Sequence, residues 1–252
     1  MNIKWDAEKY TADFSFVHRY GNSVMELIDA NKGSSVLDLG CGNGALTKKL
    51  QEKGYAVIGL DASRELLDIA KKDHPSIEFV QGDAAAFTLS KPVDVVFSNA
   101  VFHWLNRNQQ QKMLKCVYNS LKENGQFVFE FGGHGNNQSI HNVLAAVFSE
   151  YGYCYEMPFY FPTISEYASL LENAGFRVKY AVLFDRPTEL KGEGGLKDWI
   201  NMFLKIPFSV IEAEQEKDAI INKAIELLRK DLYKDGKWYA DYVRIRMKAI
   251  RL

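Results

Sequence analysis

Between residues 34 and 130, five short apolar runs alternate with amphipathic stretches, and this alternation restricts the chain to a small set of folds. The runs at 35–39, 56–61, 77–81, 93–98 and 126–131 predict strands, and the stretches at 45–53, 64–72 and 107–121 predict helices between them. The runs contain little polar–apolar alternation, so both faces of the sheet must be covered, as they are in a parallel sheet flanked by helices. Gly54 and Gly125 follow the first and third helices, where left-handed C-terminal caps belong. Further along, the pattern predicts a helix over 165–175, a strand over 177–184, a long helix over 213–230 and a last strand over 238–250. Segments 132–163 and 191–238 break the alternation, yet they are rich in aromatics rather than in linker residues. Together with residues 1–20 they are read as a cap over the carboxyl edge of the sheet, making 1–252 one domain with its ligand-binding core at about 34–131.

Charge and cysteine usage exclude several classes. The formal net charge is −1 and no basic block precedes the C-terminal end, so the phosphate-neutralising surplus of a nucleic-acid binder is missing. Cys41, Cys116 and Cys154 are odd in number, widely spaced and without a CxxC pair, which suits reduced thiols in the cytoplasm. The N-terminus lacks the apolar region of a signal peptide, and no apolar run approaches the roughly 20 residues of a membrane span. His74, His134 and His141 show no metal-ligand spacing. The expectation is a cytoplasmic protein with a small-molecule partner, and no nucleic acid, membrane or metal.

The segment Val36-Leu37-Asp38-Leu39-Gly40-Cys41-Gly42-Asn43-Gly44 follows the first strand and opens a helix. Backbone N–H groups and the positive helix end therefore face any ligand placed there. Gly40, Gly42 and Gly44 let the backbone turn sharply and approach a ligand closely. A dinucleotide fingerprint would read GxGxxG, whereas this loop reads DxGxGxG. The carboxylate of Asp38 repels a pyrophosphate and attracts a cationic ligand. S-adenosylmethionine carries an ammonium and a sulfonium and no phosphate. Asp61, 17 residues beyond Gly44, ends the second strand, where it can accept from ribose hydroxyls. Asp83 ends the third strand, placed to accept from an adenine amino group.

These motifs, with Gly59-Leu60-Asp61-Ala62-Ser63 and Gly82-Asp83-Ala84, resemble those of the class I S-adenosylmethionine-dependent methyltransferases. Ser98-Asn99-Ala100-Val101-Phe102-His103-Trp104-Leu105 resembles more narrowly the trans-aconitate methyltransferase-like branch, as do Trp5-Asp6-Ala7 with Tyr10, and Arg244. The resemblance implies a doubly wound, Rossmann-like α/β fold with a seven-stranded sheet, its last strand antiparallel, and S-adenosylmethionine as cofactor. It implies that Gly40, Cys41, Gly42 and Gly44 pack on the methionyl part and that Asp61 and Ala62 meet ribose. Asp83 and Ala84 would meet adenine, Asn99 would line the methyl end, and Tyr10 and His18 would close over the cofactor.

Methyl transfer from a sulfonium is an in-line displacement, so the acceptor side needs walls and anchors more than a catalytic triad. His103 and Trp104 follow the fourth strand; His103 is an acceptor contact and the candidate catalytic residue for proton transfer, or else a hydrogen-bonded helix-start residue, and Trp104 is either a wall or a core residue. Arg186 and Arg244 are candidates for binding an acceptor carboxylate, because a guanidinium matches it bidentately. Their alternatives are an Arg186–Asp185 ion pair and a solvated edge strand carrying Arg244. The aromatics Tyr151, Tyr153, Tyr155, Phe159, Tyr160 and Phe161 line a pocket or fill the cap's own core. Three functions follow: methyl transfer to a small soluble acceptor, a carboxylate being one candidate; an NAD-dependent oxidoreductase, disfavoured by Asp38 and the glycine spacing; or a non-catalytic S-adenosylmethionine-binding protein.

Overall fold

The structure is a computed structural model that describes residues 16–252, with side chains from Tyr20 onward. Strands β1 (Ser35–Leu39), β2 (Ala56–Asp61), β3 (Glu78–Gln81), β4 (Val93–Asn99) and β5 (Leu121–Gly132) pair in parallel in the order β3-β2-β1-β4-β5. The sheet continues through β8 (Lys237–Arg251) to β6 (Phe176–Leu190), and β8 is antiparallel to both of its neighbours. A two-residue strand, β7 (Tyr233–Lys234), adds to the expected seven by pairing with β8. Asp235 and Gly236, both at positive φ (51° and 77°), form the tight turn between them.

Residue parity along the strands explains why both faces are covered. Val36 of β1, Val95 and Phe97 of β4 and Val128 of β5 pack on α1 (Phe16–Met25) and α2 (Ala45–Glu52). Their neighbours Leu37, Leu39, Val96, Phe127, Phe129 and Phe131 point the other way, toward α4 (Arg107–Ser120) and α6 (Ile164–Asn173). Helix α3 (Arg64–Asp73) buries Leu67 and Ala70 against Phe79 of β3. Gly54 takes the expected left-handed conformation (φ 95°). Gly125 does not: α4 runs directly into β5, and the left-handed residue there is Asn124 (φ 61°).

The segments read as a cap form α5 (Gln138–Glu150), α7 (Gly195–Phe203), α8 (Lys205–Phe208) and α9 (Glu214–Leu232). They bury an apolar cluster of their own, including Leu144, Phe148, Trp199, Ile220 and Leu228, against Leu190, Trp238 and Tyr242 at the ends of β6 and β8. No helix among the described residues is long and apolar enough to cross a membrane.

Glu130 joins three strands and α1. Its carboxylate, 3% exposed, takes a bidentate pair from Arg186 of β6 and accepts from Arg246 Nε of β8 at 2.7 Å. Arg246 also donates to the Ser23 hydroxyl of α1 at 2.8 Å, and Arg186 lies over the Tyr20 ring at 4.4 Å. Removing one member of such a buried cluster strands the others without their counter-charge. Glu130→Ala is therefore expected to destabilise the protein by about 3–5 kcal/mol in chemical denaturation, and Glu130→Gln by less.

Candidate functional site

A cavity of about 440 Å3 lies over the carboxyl ends of β1 to β4, where the strand order reverses between β1 and β4. This is the crevice in which doubly wound sheets bind ligands, and the volume is within the usual range for small-molecule sites. Its lining contains Asp38, Gly40, Cys41, Gly42, Asp61, Ala62, Asp83, Ala84, Asn99, His103, Trp104 and Arg244, twelve of the residues singled out from the sequence.

The half under β1–β3 is built from backbone amides and acids. The Gly42 N–H donates to Asp61 Oδ2 and the Ser63 N–H to Oδ1, each at 2.8 Å, so one carboxylate ties the β1 loop to the β2 loop. Burial raises the Asp61 pKa above the ordinary value despite these bonds. Asp38 is 2% exposed and accepts from the Thr47 hydroxyl at 2.6 Å; burial raises its pKa to about 7. Asp83 is exposed, and its Oδ1 accepts from the Ala85 N–H at 2.8 Å. Burial also pushes the Cys41 thiol up.

Two glycines show why the loop has no side chains. A Cβ on Gly40 would come within 2.2 Å of Val101, whereas one on Gly42 would meet nothing closer than Leu66 at 4.0 Å and would enter the cavity itself. Gly44 does not line the cavity. It caps α2 in left-handed conformation (φ 79°) and packs toward Phe79 and Ala70.

The other half is aromatic. After β4 the chain passes through Ala100 at φ 62°, a strained conformation for alanine, into a short 3-10 turn, Phe102–Trp104. Phe102 is fully buried among Phe127, Phe129 and Phe131. Buried Gln110 donates to the carbonyls of Phe102 (2.6 Å) and Leu105 (2.9 Å) and accepts from the Tyr167 hydroxyl. The turn is thereby pinned with Phe102 in the core and with His103 and Trp104 on the cavity. The Gly132 N–H donates to His103 Nδ1 at 3.3 Å. Burial, then the Arg244 cation, hold the His103 pKa well below the ordinary value, so the ring is neutral and carries its proton on Nε2.

Arg244, at 6% exposure, stacks on the Tyr242 ring at 4.3 Å and lines the cavity instead of a solvated edge, because β6 covers the far side of β8. Arg186 does not reach the cavity; its guanidinium is bound to Glu130, not to Asp185. Of the aromatic cluster, Phe159 and Phe161 line the cavity while Tyr153 and Tyr155 pack on the cap core. Tyr10 and the side chain of His18 lie outside the described residues. Sequence reasoning missed Asn136, Asn137, Trp199, Phe203 and Tyr242 as lining. The i, i+4 spacing of Trp199 and Phe203 was the one available signal, whereas Asn136 is placed by a pairing with the Val243 N–H, 107 residues away.

The donor set fits S-adenosylmethionine: buried Asp38 and half-buried Asp61 at the strand ends suit an ammonium and ribose hydroxyls, and the space left by the missing Gly42 side chain admits a ligand against the backbone. Among the described residues no cluster of three or more His, Cys, Asp or Glu is placed to hold a metal ion.

A methyltransferase-domain family model matches residues 36–125. The chain is 31% identical to an uncharacterized methyltransferase of Schizosaccharomyces pombe, over 97% of each chain. It is 23% identical to a trans-aconitate 2-methyltransferase of Rhizobium etli, over 99% of this chain and 100% of that one. A solved Bacillus halodurans protein classed as a methyltransferase shares the fold at TM-score 0.65 and 19% identity, over 91% of this chain and 97% of that one. The chain thus belongs to the class I S-adenosylmethionine-dependent methyltransferases, with S-adenosylmethionine as the methyl donor.

Proposed function

We propose that this enzyme methylates a small soluble carboxylic acid, acting as a single-domain cytoplasmic protein. The observation that carries the reading is Arg244, a buried guanidinium lining the cavity beside the His103 ring. A desolvated guanidinium favours an anion, and a carboxylate matches its fork. The homology with a trans-aconitate 2-methyltransferase, named for a carboxylate acceptor, supports the same class.

When bound, S-adenosylmethionine supplies a methyl group on a sulfonium whose departure leaves a neutral thioether. Asp38 holds the ammonium, Asp61 accepts from the ribose with the lone pairs left by its two amide bonds, and Asp83 and Ala84 contact adenine. Gly40, Cys41 and Gly42 supply the backbone floor and Asn99 the wall at the methyl end. Arg244 and the Nε2–H of His103 orient the acceptor carboxylate, and Trp104 excludes water from one side. No general base is required, because a carboxylate is already the nucleophile. His103 is thus a donor and positioning group.

Asp61→Ala, which removes both the ribose acceptor and the clamp on Gly42, should weaken S-adenosylhomocysteine binding by roughly ten- to a hundred-fold in calorimetry. Asp83→Ala, at an exposed position with one local bond, should cost less; an equal or reversed ranking would displace Asp61 from its assigned role.

The raised Asp38 pKa sets a pH dependence. Only the ionised carboxylate pairs with the ammonium, so affinity should be full above pH 7 and decline by up to about tenfold per unit below it. Titrations between pH 5.5 and 8.5 should show this slope in the wild type and a flat profile in Asp38→Asn.

Arg244→Lys keeps the charge and loses the fork. It should raise the acceptor KM by about ten- to a hundred-fold while leaving S-adenosylhomocysteine affinity near the wild-type value. A change confined to cofactor affinity would remove Arg244 from the acceptor site.

A further inference from the structure

The aromatic half of the cavity is a closed ring. His103 meets Phe159 at 5.8 Å, and Phe159 meets Trp104 edge-on at 4.8 Å. Trp104 reaches Phe203 at 6.3 Å, and Phe203 reaches Trp199 at 5.4 Å. The Trp199 indole N–H donates to the Tyr242 hydroxyl at 2.6 Å, Tyr242 stacks under Arg244, and the Arg244 charge acts on His103. These ring contacts, closed by the Arg244 charge acting on His103, link four chain regions: the turn after β4, the segment before α6, α7 and β8.

Resting on the carboxylate reading above, we infer that the acceptor is a flat aromatic or conjugated acid with a single carboxylate, its ring held among these aromatic walls and its anion by Arg244. An aromatic enclosure alone would equally suit a cation, since ring faces attract positive charge. The guanidinium inside this one disfavours an ammonium acceptor by like-charge repulsion. Charge count excludes the opposite extreme. Among the described lining residues, Arg244 is the one permanent cation. A tricarboxylate would bring two further anions against aromatic walls that hold no second permanent cation. A flat body instead meets edge-to-face and stacked partners throughout. The selectivity therefore differs from that in the name of the Rhizobium etli relative.

The test uses the full chain saturated with S-adenosylhomocysteine and titrates four probes by calorimetry: trans-cinnamate, hexanoate, trans-aconitate and phenethylamine. Trans-cinnamate is expected to bind at least about tenfold tighter than hexanoate and trans-aconitate, with no phenethylamine binding. In Phe159→Leu that preference over hexanoate should shrink while S-adenosylhomocysteine affinity, measured in parallel as the check on folding, is retained. Trans-aconitate or hexanoate binding as tightly as trans-cinnamate would overturn the flat-acid inference and leave the carboxylate reading standing. Phenethylamine outranking every acid, or no acid binding at all, would overturn both.

Discussion

The site depends first on one carboxylate that accepts two backbone amides from different loops. Asp61 ends β2 but bonds to Gly42 of the loop after β1 and to Ser63 at the start of α3. Neighbouring parallel strands bring the two loops close, yet nothing in sheet pairing fixes how their tips face each other. Asp61 does so with charge-assisted bonds, and the loop shape, the direction of its free N–H groups and the start of α2 follow. Ser63 extends the same device by capping α3 through the Leu66 N–H at 3.3 Å.

Asp38 illustrates a cost built into the same cradle. Its pKa rises on folding, so the folded chain holds a proton there that the unfolded chain has lost between about pH 4 and pH 7. Across that window stability decreases with rising pH, and above it the protein bears a buried charge served by one hydroxyl, that of Thr47. A cationic ligand group relieves what the fold tolerates. The residue proposed to meet the S-adenosylmethionine ammonium is thus among those that favour the empty fold least.

Much of this was legible because buried parallel strands write themselves as apolar runs: β1 and β2 span the residues that the pattern delimits, and β3 and β4 differ by one residue at one end. Where strands leave the core the signal fades. Strand β6 runs on past residue 184 through Asp185, Arg186, Pro187, Thr188 and Glu189, an edge strand whose polar residues carry no apolar run to mark it. Arg186 shows the same limit for side chains. Adjacent strand residues point to opposite faces, so Asp185 cannot be its partner; Glu130, 56 residues earlier, is. The acids that line the cavity were readable because each lies at or just past the carboxyl end of a strand. The aromatic ring was not, since its members become neighbours only after α5, α7, α8 and α9 dock on the ends of β6 and β8.

That docking gives the molecule a division of labour. The helix that contributes Trp199 and Phe203, α7, packs into an apolar cluster separate from those beneath the glycine loop. Trp199 and Phe203 thus rest on packing that Asp38, Gly42 and Asp61 do not share, those three being anchored on other layers. A lineage carrying this fold can exchange one acceptor for another by small steps in the cap without passing through an ancestor that had lost its methyl donor.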